Sequence, residues 1–131
     1  MGDTNKPVRR ERDHGNCQAA SDILARIGDK WTVMVVGALS ERSMRYSEIL
    51  RAIEGISQRM LTLTLKGLEE DGLVHRKVTP TIPPRVDYSL TKLGRTLIGP
   101  LAVLFEWSIE NRPAMLEARK AYAKTRAKKT G

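Results

Sequence analysis

Arg59, Thr62, Leu63 and Lys66 share one face of the stretch Ile56 to Leu73, ISQRMLTLTLKGLEEDGL, if that stretch is a helix, and Leu61, Leu65 and Leu68 share the other. Outer side chains of these types can read a nucleic-acid duplex. A guanidinium near a helix start can fork onto a guanine edge or a phosphate, a threonine hydroxyl can bond to either, and an ammonium suits phosphate. Leu63 can touch only a thymine methyl. Ser57 and Gln58 stand where side chains and free backbone amides donate to phosphate. Two readings compete for this face: a solvated surface, with Leu63 packed against a neighbouring element, and a surface that meets DNA.

The elements around it weigh toward the second. Ser57 is an N-cap residue and Gly72 a stop signal for the helix. Before it, Tyr46, Ile49, Leu50 and Ile53 mark a short third helix, with Glu54 and Gly55 as a tight turn, so that the two helices form a helix-turn-helix unit. After it, Val74, Arg76 and Val78 alternate with His75, Lys77 and Thr79, and Val86, Tyr88 and Leu90 alternate beyond Pro80 to Pro84. This predicts a two-stranded hairpin with a proline-stiffened tip, basic through His75, Arg76, Lys77 and Arg85 against Asp87. A basic hairpin directly after a helix-turn-helix is a winged arrangement. Arg85, beside the tip, is the candidate for a minor groove, with Arg76 and Lys77 on the backbone.

The remaining segments frame that unit. Met1 to Asn16 mixes charges with Gly, Pro and Asn and reads as a flexible arm. Ala20, Ile23, Leu24 and Ile27 form a short first helix from Cys17, closed by Gly28 in the position of a left-handed cap. Asp29 caps a second helix, Lys30 to Leu39, whose Trp31, Met34, Val35, Val36, Ala38 and Leu39 place it at the centre of the domain. Thr91 can cap a longer helix from Lys92 through Trp107 to about Asn111, kinked by Pro100 unless it is two pieces. Pro113 suits the first turn of a last helix, Ala114 to about Lys124, followed by a frayed basic tail, residues 127–131. The expected architecture is mostly α with a small β-hairpin, an α+β winged helix-turn-helix spanning residues 17–126 as a single domain. Terminal helices 17–27 and 92–126 carry apolar stripes that a second copy of the chain would cover.

Composition narrows the partners. Over the 131 residues Lys and Arg outnumber Asp and Glu by 23 to 15, a net charge of +8, which favours a polyanion. RNA or an architectural role on DNA is the competing assignment, but RNA modules stack bases on sheet aromatics, and aromatics here are 5% of residues and mostly in predicted helices. No apolar run approaches the roughly 20 residues that span a bilayer, so no membrane contact and a cytoplasmic, nucleoid-associated protein are expected. No phosphate-cradling glycine motif or nucleophile constellation argues for an enzyme, and no cofactor is implied. His14, His75 and Cys17 match no common metal-ligand spacing. Cys17 itself, alone in the chain, is either a small hydrophobe at a helix start or a sensor thiol whose thiolate the helix terminus stabilises. Trp31, Phe105, Trp107 and the methionines either line a small-molecule pocket near a dimer interface or belong to the core.

The motifs together resemble the HxlR-type winged helix-turn-helix transcriptional regulators: Cys17 before the first helix, IGDKWT at Ile27 to Thr32, RYSEIL at Arg45 to Leu50, GISQRMLTLTLKGLEEDGLVHR at Gly55 to Arg76, PPRVDYSLTKLGR at Pro83 to Arg95, and ARKAY at Ala118 to Tyr122. The resemblance covers nearly everything from Cys17 to Tyr122. It implies a dimeric bacterial DNA-binding regulator whose fourth helix enters the major groove and whose wing touches flanking DNA; a two-fold dimer predicts an inverted-repeat operator, and a repressor is expected. It also implies that the first and last helices form the dimer interface, and that Cys17 occupies the position at which several members sense oxidants or electrophiles. Two positions depart from the pattern: Gln58 stands where the family often has Pro, and Leu63 where it has a polar residue.

Overall fold

A computed structural model describes residues 14–130, which fall into two units, the first closing at Arg95 and the second opening at Thr96. The first contains α1 (His14–Ile27), α2 (Lys30–Ala38), β1 (Met44–Arg45), α3 (Tyr46–Ala52), α4 (Gln58–Glu70), β2 (Val74–Thr79), β3 (Arg85–Leu90) and α5 (Lys92–Arg95). The second is one helix, α6 (Ile98–Thr130). The chain is mostly helical with a small antiparallel sheet, a winged helix-turn-helix.

The core of the first unit is built on α2, which packs against α1, α3 and α4. Its Val35, Val36 and the adjoining Leu39 meet Ile49 of α3 and Leu61, Leu65 and Leu68 of α4, all buried. Asp29 starts α2 as expected, its Oδ2 accepting from the amides of Trp31 at 3.1 Å and Thr32 at 3.3 Å. The apolar surround is incomplete, because Met34 is exposed and Trp31 only half-buried. α1 starts at His14, so the last residues assigned to the arm are helical and Cys17 lies within the helix; the rest of the arm, Met1 to Asp13, lies outside the described residues. Gly28 ends α1 for a different reason than handedness. Only Gly55 and Gly72 have positive φ among the described residues, whereas Gly28 donates its amide to Leu24 O at 2.7 Å, where a Cβ would collide with that carbonyl.

α3 begins on a side-chain contact: Glu48 Oε1 accepts from the Arg45 amide at 2.8 Å. That bond, helped by the Arg42 guanidinium at 3.6 Å, holds the Glu48 carboxyl below the usual glutamate range. α4 has both ends fixed as the sequence implies. Ser57 Oγ accepts from the Met60 amide at 3.0 Å. At the other end Gly72 adopts φ +77°, a conformation open to glycine, while Gly72 N bonds Glu69 O and Leu73 N bonds Leu68 O, a Schellman closure.

The hairpin expected from alternation is present, with Val74 opposite Leu90, Arg76 opposite Tyr88 and Val78 opposite Val86. It is part of a three-stranded sheet, order β1-β3-β2, because Met44 and Arg45 pair with Tyr88 and Asp87. A two-residue strand has no period to read, and no strand was expected at Met44 and Arg45.

The C-terminal helices differ most from expectation. The long helix is two pieces, α5 and α6, and Pro100 falls in the first turn of α6, where no intrahelical amide bond is required of it. Pro113, expected at a helix start, lies inside α6, which runs unbroken for 33 residues. One lost hydrogen bond is outweighed by long helix-forming stretches on both sides. The same Ala-, Lys- and Arg-rich composition carries the helix to Thr130, so the segment expected to fray is helical. Phe105, Trp107 and Met115 are exposed on α6 rather than buried in a core.

The hairpin is tied back to the end of α4 by Thr91. Its hydroxyl donates to Gly72 O at 2.6 Å and accepts from the Gly94 amide at 3.0 Å, while its own amide donates to Leu73 O at 3.0 Å. Gly94 then sits so close to the Leu73 carbonyl that a Cβ would collide with backbone, which has no flexible end to yield. Gly94→Ala is expected to lower unfolding stability by about 1–3 kcal/mol. Urea denaturation followed by far-UV circular dichroism measures it, and an unchanged midpoint would show that the approach is not constrained.

Candidate nucleic-acid interface

Burial of Leu61, Leu65 and Leu68 rotates α4 so that Arg59, Thr62, Leu63 and Lys66 all emerge on the side away from the core. Arg59 and Lys66 are exposed, and Leu63 keeps 50% of its surface in the open. Ser57 uses its oxygen as an acceptor for the helix cap and retains its hydroxyl proton as a donor. Gln58 is the first helical residue, its side chain in an exposed position.

Two neighbours flank this face. On one side, Tyr46 from the start of α3 donates its phenolic proton to Gln58 O at 2.8 Å and lies 2.9 Å from Thr62 Oγ1. On the other, Arg26 from α1 lies over Gly67, where a Cβ would run into its guanidinium, and pairs through Nε with Asp71 Oδ2 at 2.8 Å. That pair is about 40% exposed at each partner, so it contributes at most about 1 kcal/mol and acts mainly to fix position. Leu63 lines a shallow recess with Asp22, Ala25, Arg26, Asp29 and Thr64, so its inner edge faces α1 rather than the hairpin or α3.

On the wing, the register separates residues that the sequence had grouped. Lys77 stands opposite Asp87, which in turn stands opposite Arg45, while Arg76 stands opposite Tyr88. Consecutive strand residues face opposite sides, so Lys77, Arg45, Asp87 and Arg85 share one side of the sheet and Arg76 lies on the other. Arg85 donates from Nε to Asp87 Oδ2 at 3.0 Å, which aims the guanidinium while leaving its terminal nitrogens unused by that bond. Arg45 is the cation that sequence patterning missed, its strand being too short to show a period. Tyr46 and Arg26 were missed because the sequence offers no signal that they approach α4. Cys17 is exposed on α1. Among the described residues no group of His, Cys, Asp or Glu is placed to hold a metal, and no helix is long and apolar enough to cross a membrane.

The model of the HxlR-like helix-turn-helix family matches residues 26–115, most of the chain and all of α2 to α5. The chain belongs to the HxlR-like helix-turn-helix family. It is 49% identical over 81 residues to an uncharacterized HTH-type transcriptional regulator of Methanothermobacter thermautotrophicus, a match covering 62% of each chain. It is 38% identical over 98 residues to the uncharacterized HTH-type transcriptional regulator YtfH of Escherichia coli, covering 75% of this chain and 78% of that one. Among solved structures it resembles the redox regulator HypR in its reduced form, with TM-score 0.69 and 39% identity over 76% of this chain and 98% of HypR. This HxlR-like chain is thus a helix-turn-helix transcriptional regulator, and its relatives and fold are those of regulators, which are not enzymes.

In this HxlR-like protein the side chain of Arg45 is exposed opposite Asp87, on the same side of the sheet as Lys77 and Arg85. Arg45→Ala is expected to weaken binding to duplex DNA across sequences and to reduce the slope of log affinity against log salt by about one. Titrations at four salt concentrations measure this; an unchanged slope would place Arg45 away from the phosphates.

Proposed function

We propose that this protein is a homodimeric, sequence-specific binder of double-stranded DNA that acts as a repressor. α4 reads the major groove of each half-site, with Arg59, Thr62 and Leu63 toward base edges and Ser57, Gln58 and Lys66 toward phosphate. The wing presents Arg85 to the adjoining minor groove and Lys77 to the backbone, with Arg76 reaching phosphate from the other side of the sheet. The observation that carries this reading is the uncovered outer face of α4, followed through the Gly72 turn by a wing that carries Lys77, Arg45 and Arg85 on one side. The dimer is supported by large exposed apolar residues on both terminal helices, Ile23 and Leu24 on α1 and Leu104, Phe105, Trp107 and Ile109 on α6. Two-fold symmetry then gives an inverted-repeat operator with half-sites roughly 34 Å apart. Such a protein works in the cytoplasm, at the nucleoid.

Selection from random duplex DNA is expected to return an inverted repeat, and Arg59→Ala to lose preference at one base pair of each half-site, by about 5- to 100-fold. Stronger binding to structured RNA than to any selected duplex would reverse the assignment. So would an Arg59→Ala variant with wild-type affinity and sequence preference.

An oxidant or electrophile is the proposed effector, acting at Cys17. The thiol is exposed, and two solved relatives point to such chemistry: HypR, a redox regulator, and YodB, solved in a diamide-treated form. Oxidation by a peroxide to the sulfenic acid, or alkylation, would add a polar or bulky group on α1 and disturb the helix that Arg26 fastens to α4. Cys17→Ser is expected to bind the selected operator as wild type and to stay bound when peroxide or diamide is added. Equal release of both proteins by the oxidant would remove Cys17 from the response.

A further inference from the structure

Tyr46 and Thr62 hold a proton arrangement that determines what Thr62 can recognise, an inference that rests on α4 being the reading helix. A phenol has one proton, and the Gln58 carbonyl, 2.8 Å from Tyr46 Oη, can only accept it. The bond at 2.9 Å between Tyr46 Oη and Thr62 Oγ1 therefore runs from the threonine: Thr62 donates and Tyr46 accepts. Thr62 has spent its only side-chain proton inside the protein, yet it is exposed on the outer face of α4.

We propose that Tyr46 is a positioning residue that converts Thr62 into a reader of exocyclic amines. What Thr62 has left to offer DNA is an oxygen lone pair and a methyl group. Phosphate oxygens, guanine N7 and O6, and thymine O4 are all acceptors and gain nothing from that oxygen. Adenine N6 and cytosine N4 are the donors of the major groove, so Thr62 selects a base that places an amine at its position. The bond to Gln58 O also anchors the helix start to α3, so the orientation of Thr62 is fixed before DNA arrives.

The test compares wild type with Tyr46→Phe, Thr62→Val, Thr62→Ser, Arg59→Ala and the Tyr46→Phe/Thr62→Val double variant. Each is first used to select from random-sequence duplex DNA. Each is then titrated on the selected duplex with all four base pairs, and with an analogue lacking the amine (purine for adenine, pyrimidin-2-one for cytosine), at the position where Thr62→Val loses discrimination. Wild type and Thr62→Ser should favour the amine-bearing base by about fivefold and lose that margin on the analogue. Thr62→Val should bind base and analogue alike. Tyr46→Phe should flatten the same position with an unchanged salt slope and an unchanged preference at the Arg59 position, and the double variant should match Thr62→Val. A wild-type profile for Tyr46→Phe or Thr62→Val overturns the proposal, as does equal wild-type binding to base and analogue. Should Tyr46→Phe fail to fold, the two Thr62 variants and the analogue still decide whether an amine is read. An inert Arg59→Ala together with no enriched sequence for wild type would instead bring down the reading of α4 itself.

Discussion

The burial of Leu61, Leu65 and Leu68 against α2 fixes the rotation of α4 about its axis, and the outer face is available only because that rotation is fixed. Each of these side chains gains about 1.5–3 kcal/mol from leaving water, so turning the helix to hide Arg59 or Lys66 would forfeit several such terms and bury charges besides. The ends are held separately. Ser57 satisfies an amide at the start, and the Schellman closure at Gly72 turns the chain into the wing at a defined angle. Thr91 then returns the far strand of the wing to the same turn, so helix and wing share one anchor. The proposed groove-reading role needs that registration, since a base contact misplaced by an ångström loses its bond.

Charge is distributed to the same end. The α4 face carries cations at exposed positions, whereas the wing sets three cations around Asp87. Asp87 lowers the local positive charge by one but restrains Arg85, whose long side chain would otherwise lose rotamer freedom on meeting DNA. A preset guanidinium costs less to bind than a free one, and the anion also weakens nonspecific attraction to phosphate. Preorganisation of this kind trades affinity for selectivity.

How much of this the sequence discloses depends on the range of the interactions involved. Ser57, Gly72 and the leucine spacing of α4 are local signals, and the structure places them as read; the hairpin register follows equally from alternation through Val74 to Leu90. β1 was invisible because two residues have no period. Pro113 was misplaced because a proline rule describes a local cost, while the helix on both sides sets the balance. The site divided in the same way. Arg59, Thr62, Leu63 and Lys66 share a face by simple helical geometry, but the division of Arg76 from Lys77 was implicit in the strand period and was overridden by adjacency in sequence. Tyr46, Arg26 and Arg45 reach the candidate interface only through tertiary packing or cross-strand pairing, for which one sequence carries no pattern.

α1 is attached differently from the helices it accompanies. Its Ile23 and Leu24 are exposed, Arg26 and Ile27 are half-buried, and the ion pair of Arg26 with Asp71 across Gly67 ties it to the end of α4. A helix held by little buried area opens or shifts at low cost compared with α2 or α4, whose leucines and valines must first be exposed to water. Yet its tie falls on the later turns and end of α4, beside the recess that Leu63 lines. In the dimer proposed above, covering Ile23 and Leu24 with a partner would supply the missing burial and hold Arg26 against Gly67. The proposed modification at Cys17, nine residues before Arg26 on the exposed length of α1, would compete with that weak attachment rather than with the core. In the proposed response, a modification on a helix held by little buried area and tied to α4 through Arg26 would shift that helix without unfolding the core.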